Sequence, residues 1–175
     1  MPFLSMNCTL LFLAPALASS AAMANDLKLT IEIPKIDAKE YHRPYVAAWI
    51  EKPDQSHAAN LAVWYEAKNE KGESWLKDLR QWWRKSGRSV KMPLDGISGP
   101  TRPVGKHTLD IPEKSAPLPP LAEGEYTLVV EAAREVGGRE TVRIPFKWDG
   151  KTAVDASGTG KTELGQIQLL IATKS

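Results

Sequence analysis

Glu125–Arg134 reads EYTLVVEAAR and Thr141–Trp148 reads TVRIPFKW, with Val136-Gly137-Gly138-Arg139 between them. Both runs are rich in β-branched and aromatic residues, which fit a pleated, half-buried surface. The Gly-Gly pair is expected to supply the positive φ that a tight hairpin turn demands. Pro145 has no N–H to give to a ladder, so the second strand is expected at a sheet edge or at a bulge.

The flanking sequence agrees with a β fold. Leu27–Ile33 (LKLTIEI) alternates strictly, placing Leu27, Leu29, Ile31 and Ile33 on one face before Pro34 ends the run. Pro44–Glu51 (PYVAAWIE), Leu61–Ala67 (LAVWYEA), Lys106–Ile111 (KHTLDI) and Leu164–Ala172 (LGQIQLLIA) read as further strands. Lys114–Gly124 holds three prolines and reads as the turn that opens the central hairpin. Ser86–Pro103 and Asp149–Lys161 read as loops. One stretch changes period: Trp75, Leu76, Leu79, Trp82 and Trp83 recur at helical spacing, with Lys77, Asp78, Arg80, Gln81, Arg84 and Lys85 on the other side. Ser74 as N-cap and Gly87 as stop predict about three turns of amphipathic helix. About seven strands, short turns and one inserted helix predict a mainly β chain folded as an immunoglobulin-like β-sandwich.

Met1–Ala24 contains no charged residue, and Leu10–Ala18 reads LLFLAPALA. This is the length of a secretory apolar segment and too short for a membrane span. Ala22-Met23-Ala24 offers small residues for cleavage before Asn25, although the n-region lacks its usual Lys or Arg. Residues 1–24 are therefore read as a signal peptide and 25–175 as one β-sandwich domain, exported to the periplasm and soluble after cleavage. The only cysteine, Cys8, would be lost, which excludes disulfides and thiolate metal sites from the exported form. With 23 basic and 21 acidic residues interspersed, net charge +2, bulk electrostatics favour no nucleic-acid partner.

Few segments carry chemistry. His42, His57 and His107 lie on different segments without metal-ligand spacing, so a metal would need them to converge, with Glu40 or Asp110 as candidate helpers. Gly158-Thr159-Gly160-Lys161-Thr162 resembles the end of a phosphate-binding loop, but Asp155 stands where the first glycine belongs and a strand is expected to follow. The cationic, aromatic Trp-rich segment suits either a partner's acidic face or a membrane surface, or a helix that buries its tryptophans over an open end of the sandwich.

Asp95–Thr101, reading DGISGPT, resembles the flavin-attachment motif of extracytoplasmic flavoproteins: Asp, two variable residues, Ser or Thr, Gly, Ala, and Thr or Ser. That resemblance implies covalent FMN on Thr101, with Asp95, Ser98 and Gly99 as recognition residues for a flavin transferase. Pro100 departs from the motif's alanine and removes an N–H. Tyr41–Glu51, Leu61–Tyr65, Trp75–Arg84 and Asp95–Pro103 together resemble the predicted periplasmic family catalogued as domain of unknown function 2271. Resemblance to this family implies a genomic setting of PepSY-domain membrane proteins and flavin transferases, and hence extracytoplasmic electron transfer. Arg102 and Lys106 would balance the phosphoester, and Trp82 or Trp83 would stack on the isoalloxazine if exposed.

The expectation is thus a periplasmic redox accessory protein exchanging electrons with a PepSY-type membrane partner. The alternatives are a non-catalytic binding module using the Trp/Arg-rich face, and a metal or haem carrier using the histidines. Mass spectrometry of the exported protein should show a chain starting at Asn25; an intact Met1 would refute the signal peptide.

Overall fold

The alternation at the N-terminal edge and the central hairpin both become strands. In the computed structural model, which describes residues 26–111 and 121–173, nine strands form two sheets. They are β1 (Asp26–Ile33), β2 (Tyr45–Glu51), β3 (His57–Tyr65), β4 (Ser98–Pro100), β5 (Gly105–Ile111), β6 (Gly124–Ala133), β7 (Arg139–Trp148), β8 (Val154–Thr159) and β9 (Gln166–Ala172). The smaller sheet runs β5-β1-β9-β8, and the larger β4-β3-β2-β6-β7. Pairing is antiparallel except between β3 and β4. The signal-peptide region and most of the Lys114–Gly124 turn lie outside the described residues.

Period-2 patterning decides which side chains meet between the sheets. Leu27, Leu29, Ile31 and Ile33 of β1 are all buried there, with Val46, Ala48 and Ile50 of β2 and Leu128, Val130 and Ala132 of β6. The larger sheet has a second apolar face. Tyr45, Ala47, Trp49, Val63, Tyr65, Val129 and Ala133 point away from the first core and pack against Leu76, Leu79 and Trp82. Hence β2 reads as buried at every position, as a strand covered on both faces must. Trp49, Trp64 and Trp82 are fully buried, and burial of side chains this large contributes about 1.5–3 kcal/mol or more apiece.

The cover over the second face departs from the expected three-turn helix. It consists of a 3-10 segment (Gly72–Asp78), a short α-helix α1 (Arg80–Lys85) and a further 3-10 turn (Gly87–Ser89). Leu79, at φ −75° and ψ 72°, breaks the helical path. The reason lies in β6: the fully buried Glu131 carboxylate accepts the backbone N–H groups of Gln81 (3.0 Å) and Trp82 (2.9 Å). These are first-turn donors with no intrahelical partner, so α1 starts where Glu131 stands. Ser74 is not the cap; its hydroxyl donates to the Lys71 carbonyl. The tryptophans do turn inward, but over the outer face of the larger sheet and not over an open end of the sandwich.

Two strands fall in stretches expected to be loops. β4 lies within Ser86–Pro103 and β8 within Asp149–Lys161. β4 is three residues containing Gly and Pro, and β8 (VDASGT) is small and polar, so neither carries an apolar stripe. Gly158 is there for space: a Cβ would sit 2.8 Å from the Ile144 side chain of the facing sheet. β7 is the edge strand that Pro145 requires. The hairpin turn uses its glycines differently from expectation. Val136 takes the positive φ (50°), and neither Gly137 nor Gly138 does. A Cβ at Gly137 would meet the Arg134 guanidinium at 2.4 Å, and one at Gly138 would meet the Glu163 carboxylate at 2.5 Å.

Close approach also fixes Gly87, where a Cβ would lie 2.6 Å and 2.7 Å from ring carbons of Trp82 and Trp83. Gly87→Ala should therefore lower stability by about 1–3 kcal/mol through overpacking. Urea unfolding measures this directly, and an unchanged midpoint would mean that the two indoles have room to move.

Candidate functional site

The segment Asp95–Thr101 is built as a turn followed by a strand. Gly96, at φ 68°, makes the turn that Leu94 and Ile97 close by an N–H···O bond of 3.2 Å. The Ser98 hydroxyl accepts the Leu94 N–H at 2.8 Å, so Ser98 locks this turn. Ser98, Gly99 and Pro100 then pair in parallel with Val63, Trp64 and Tyr65. Parallel neighbours need a long crossover, and here the Trp-rich layer is that crossover. β4 is an edge strand, and the Asp95–Gly96 turn is exposed. Pro100 suits the edge, having no N–H to leave unpaired.

Thr101 follows directly and is half-buried. Beside it, the Arg102 guanidinium lies over the Trp64 ring, 5.4 Å from its centroid, and the buried Arg102 Nε has no hydrogen-bond partner. Lys106 is turned to Gln166, its Nζ donating to Oε1 at 3.2 Å. Trp82 is fully buried, with its indole N–H donating to Asn60 Oδ1 at 2.9 Å, so it cannot stack on a ligand. Trp75 and Trp83 are half-buried against the same cluster. Arg80, Arg84 and Arg88 of this layer are exposed, while the Trp75 and Trp83 indoles are only partly open to water.

A second constellation lies along the same end of the larger sheet. Pro100 is opposite Tyr65, Tyr45 opposite Ala133, and Ala133 opposite Arg139, while Val46 pairs with Trp64 one residue back from this row. Above it opens a cleft of about 470 Å³ between His42–Arg43, Trp75–Asp78 and the hairpin turn from Arg134 to Arg139. This volume falls within the several-hundred-Å³ range of small-molecule sites, about 300–1,000 Å³. Arg134 binds Glu163 through two parallel bonds, Nε–Oε2 at 2.8 Å and Nη2–Oε1 at 3.0 Å, with side chains only 7% and 4% exposed. The Glu163 bonds outweigh burial and raise the Arg134 pKa further. Gly138 N–H donates to the same carboxylate at 2.8 Å. Nη1 of Arg134 is left without a partner, as is the buried hydroxyl of Tyr41, whose ring lies 5.8 Å from the guanidinium carbon. Burial pushes the Tyr41 phenol pKa up. A buried donor left unmade costs about 1–3 kcal/mol.

Glu163 is held in turn by a neighbouring loop. The Glu140 carboxylate accepts the backbone N–H groups of Lys161, Thr162, Glu163 and Leu164. The phosphate-loop-like GTGKT stretch therefore does present converging amides, but they are filled by the protein's own carboxylate. The histidines do not converge. His42 contacts Glu40 (3.0 Å) and Glu135 (3.5 Å), while His107 bonds the Pro103 carbonyl (2.7 Å) and meets the edge of Trp64. Among the described residues no cluster of three or more His, Cys, Asp or Glu could hold a metal ion.

The model of the family described as "Predicted periplasmic protein (DUF2271)" matches residues 26–166. The chain belongs to this family. No curated protein and no solved structure matches it. The DUF2271 match runs from β1 to the first residue of β9, so it takes in the Trp-rich layer, the Asp95–Thr101 segment and the cleft. Among the described residues no helix is long and apolar enough to cross a membrane.

Reading the sequence missed Glu131, the Arg134–Glu163 pair and the cleft. Only Glu131 left a trace, as a charge inside an apolar run. The Glu140 loop supplies a pH test. Burial pushes the Glu140 carboxyl up, but the four amides outweigh it and hold its pKa below the ordinary 4.5. As pH falls through that range the unfolded chain takes up the proton first, so this stabilisation is present above about pH 4.5 and is lost below. Glu140→Gln should destabilise by about 1.5–3 kcal/mol at neutral pH, and the gap to wild type should narrow as the buffer is acidified; a gap independent of pH would show that charge plays no part.

Proposed function

We propose that this DUF2271 protein is a periplasmic redox accessory protein carrying covalent FMN on Thr101 and exchanging electrons with a PepSY-type membrane partner. The observation that carries the reading is the build of Asp95–Thr101. An exposed turn leads into an edge strand with one open side, and the acceptor hydroxyl stands just past its end. A transferase can engage such an edge by strand addition.

The residues fit the group at one further point. Arg102 Nε is a buried cationic donor without a partner, next in sequence to Thr101, and a phosphoester oxygen is the acceptor it lacks. Attachment forms a bond between Thr101 Oγ and the FMN phosphorus of FAD. The pyrophosphate linkage breaks, AMP leaves, and the hydroxyl proton passes to a base of the transferase. Once bound, the flavin supplies one- and two-electron chemistry; the protein holds it and neutralises its phosphate. Asp95, Ser98 and Gly99 serve recognition, Ser98 by fixing the turn. The scaffold is read as an immunoglobulin-like variant, a reading supported by two facing, mainly antiparallel sheets.

Exported together with a flavin transferase, the wild-type protein should give a fluorescent band on a denaturing gel and Thr101→Ala a dark one. Arg102→Ala should retain the covalent flavin but shift its midpoint potential. A dark wild-type band beside a labelled control flavoprotein would overturn the proposal, as would a fluorescent Thr101→Ala.

A further inference from the structure

The geometry points to a binding site for a small organic carboxylate with a flat apolar body in the cleft between Arg134 and Lys77, whether or not Thr101 carries a flavin. Three observations carry it. The cleft has small-molecule dimensions, about 470 Å³, and is walled on one side by the half-buried Trp75 and by Tyr45. Arg134, more than nine-tenths buried, lines it with Nη1 unpartnered. Its other guanidinium edge is fixed by the bidentate bond to Glu163, so the free nitrogen is held in place.

The third observation concerns the rim. Lys77 and Arg43 line the cleft, are exposed, and form no ion pair among the described residues. The acids of the rim are occupied differently. Glu135 faces His42 at 3.5 Å, and Glu66 accepts the Asn69 side-chain amide at 3.0 Å. Arg139 spends its Nε on the Asp78 carbonyl at 2.7 Å. The third lining acid, Asp78, is exposed, so opposite charges nearly balance across the cleft, and the buried polar atom left unpartnered on its wall is a donor, Arg134 Nη1. An oxyanion satisfies that donor and a cation does not. The indole and phenol rings favour an organic anion over a bare inorganic one. Gly137 and Gly138 belong to the same site, since any side chain there would strike Arg134 or Glu163.

Because recognition rests on buried donors in a nearly neutral cleft, binding should resist salt in a way that attraction to surface lysines does not. Titration of the purified protein with sodium benzoate, followed by amide and guanidinium NMR, should give saturable shifts at Gly137, Gly138 and Arg134 Nε–H. Affinity should change by less than about threefold on adding physiological salt, and inorganic phosphate should bind more weakly. Arg134→Lys keeps a cation beside Glu163 but removes Nη1 and should weaken benzoate by about tenfold or more. Lys77→Ala combined with Arg43→Ala changes only exposed residues and should weaken it by less than about threefold. Absence of saturation, shifts scattered over surface lysines, unchanged affinity in Arg134→Lys, a loss in the double variant as large as in Arg134→Lys, or phosphate binding tighter than benzoate would each overturn the assignment.

Discussion

A carboxylate removed from water, that of Glu131, holds the helical layer to the larger sheet. It stands in β6 between Val129 and Ala133 on an otherwise apolar face, where a lone charge would be costly. Burial pushes its pKa above the ordinary value, and the amides of Gln81 and Trp82 act against that push. The same interaction starts α1, seats Trp82 and directs the chain back along β3. Glu51 works alongside it: also buried, it collects the Trp49 indole N–H, Arg143 and Lys85. There burial is outweighed by the hydrogen bonds, chiefly from Arg143, and the pKa falls below normal. Two acids on one face thus pin the layer by opposite balances of the same forces.

The layer explains why the sheet is apolar on both sides and why β4 exists. Once residues 66–97 have crossed the face, the chain returns beside β3 in the same direction and pairs in parallel. The Asp95–Thr101 segment therefore depends on packing many residues away. The cleft depends on it too, since Trp75 and Lys77 come from the crossover and Arg134 from the hairpin that the crossover meets.

Where burial is one-sided, the sequence was legible: β1 alternates and was read residue for residue, and the β6–β7 hairpin with its edge proline emerged as expected. Legibility failed where tertiary contact overrode local pattern. The Trp-rich block has helical spacing, yet a carboxylate from a distant strand breaks it at Leu79. The glycines of the hairpin turn looked conformational and are steric. β4 and β8 hold too few apolar residues to announce themselves. At the candidate site, the order of residue types in DGISGPT was visible in the string, whereas the strand it forms was not. Trp82 was a stacking candidate only if exposed, and the same spacing that marked it as helical turned it into the core. The cleft joins three segments far apart in sequence, and no local spacing could have drawn them together.

The parallel pairing of β4 sets an order of events as the protein folds. Only three residues of β4 engage β3, and more than thirty residues separate the partners, so the loop-closure cost greatly exceeds what that short ladder returns by itself. The docking of β4 must follow consolidation of the crossover, as non-local contacts generally come late. An unfolded chain displays DGISGPT as a limp string, whereas the folded sandwich displays it as a rigid rail with a fixed hand and register. The two are different objects to any enzyme that reads them, so the state of folding is itself encoded at this edge.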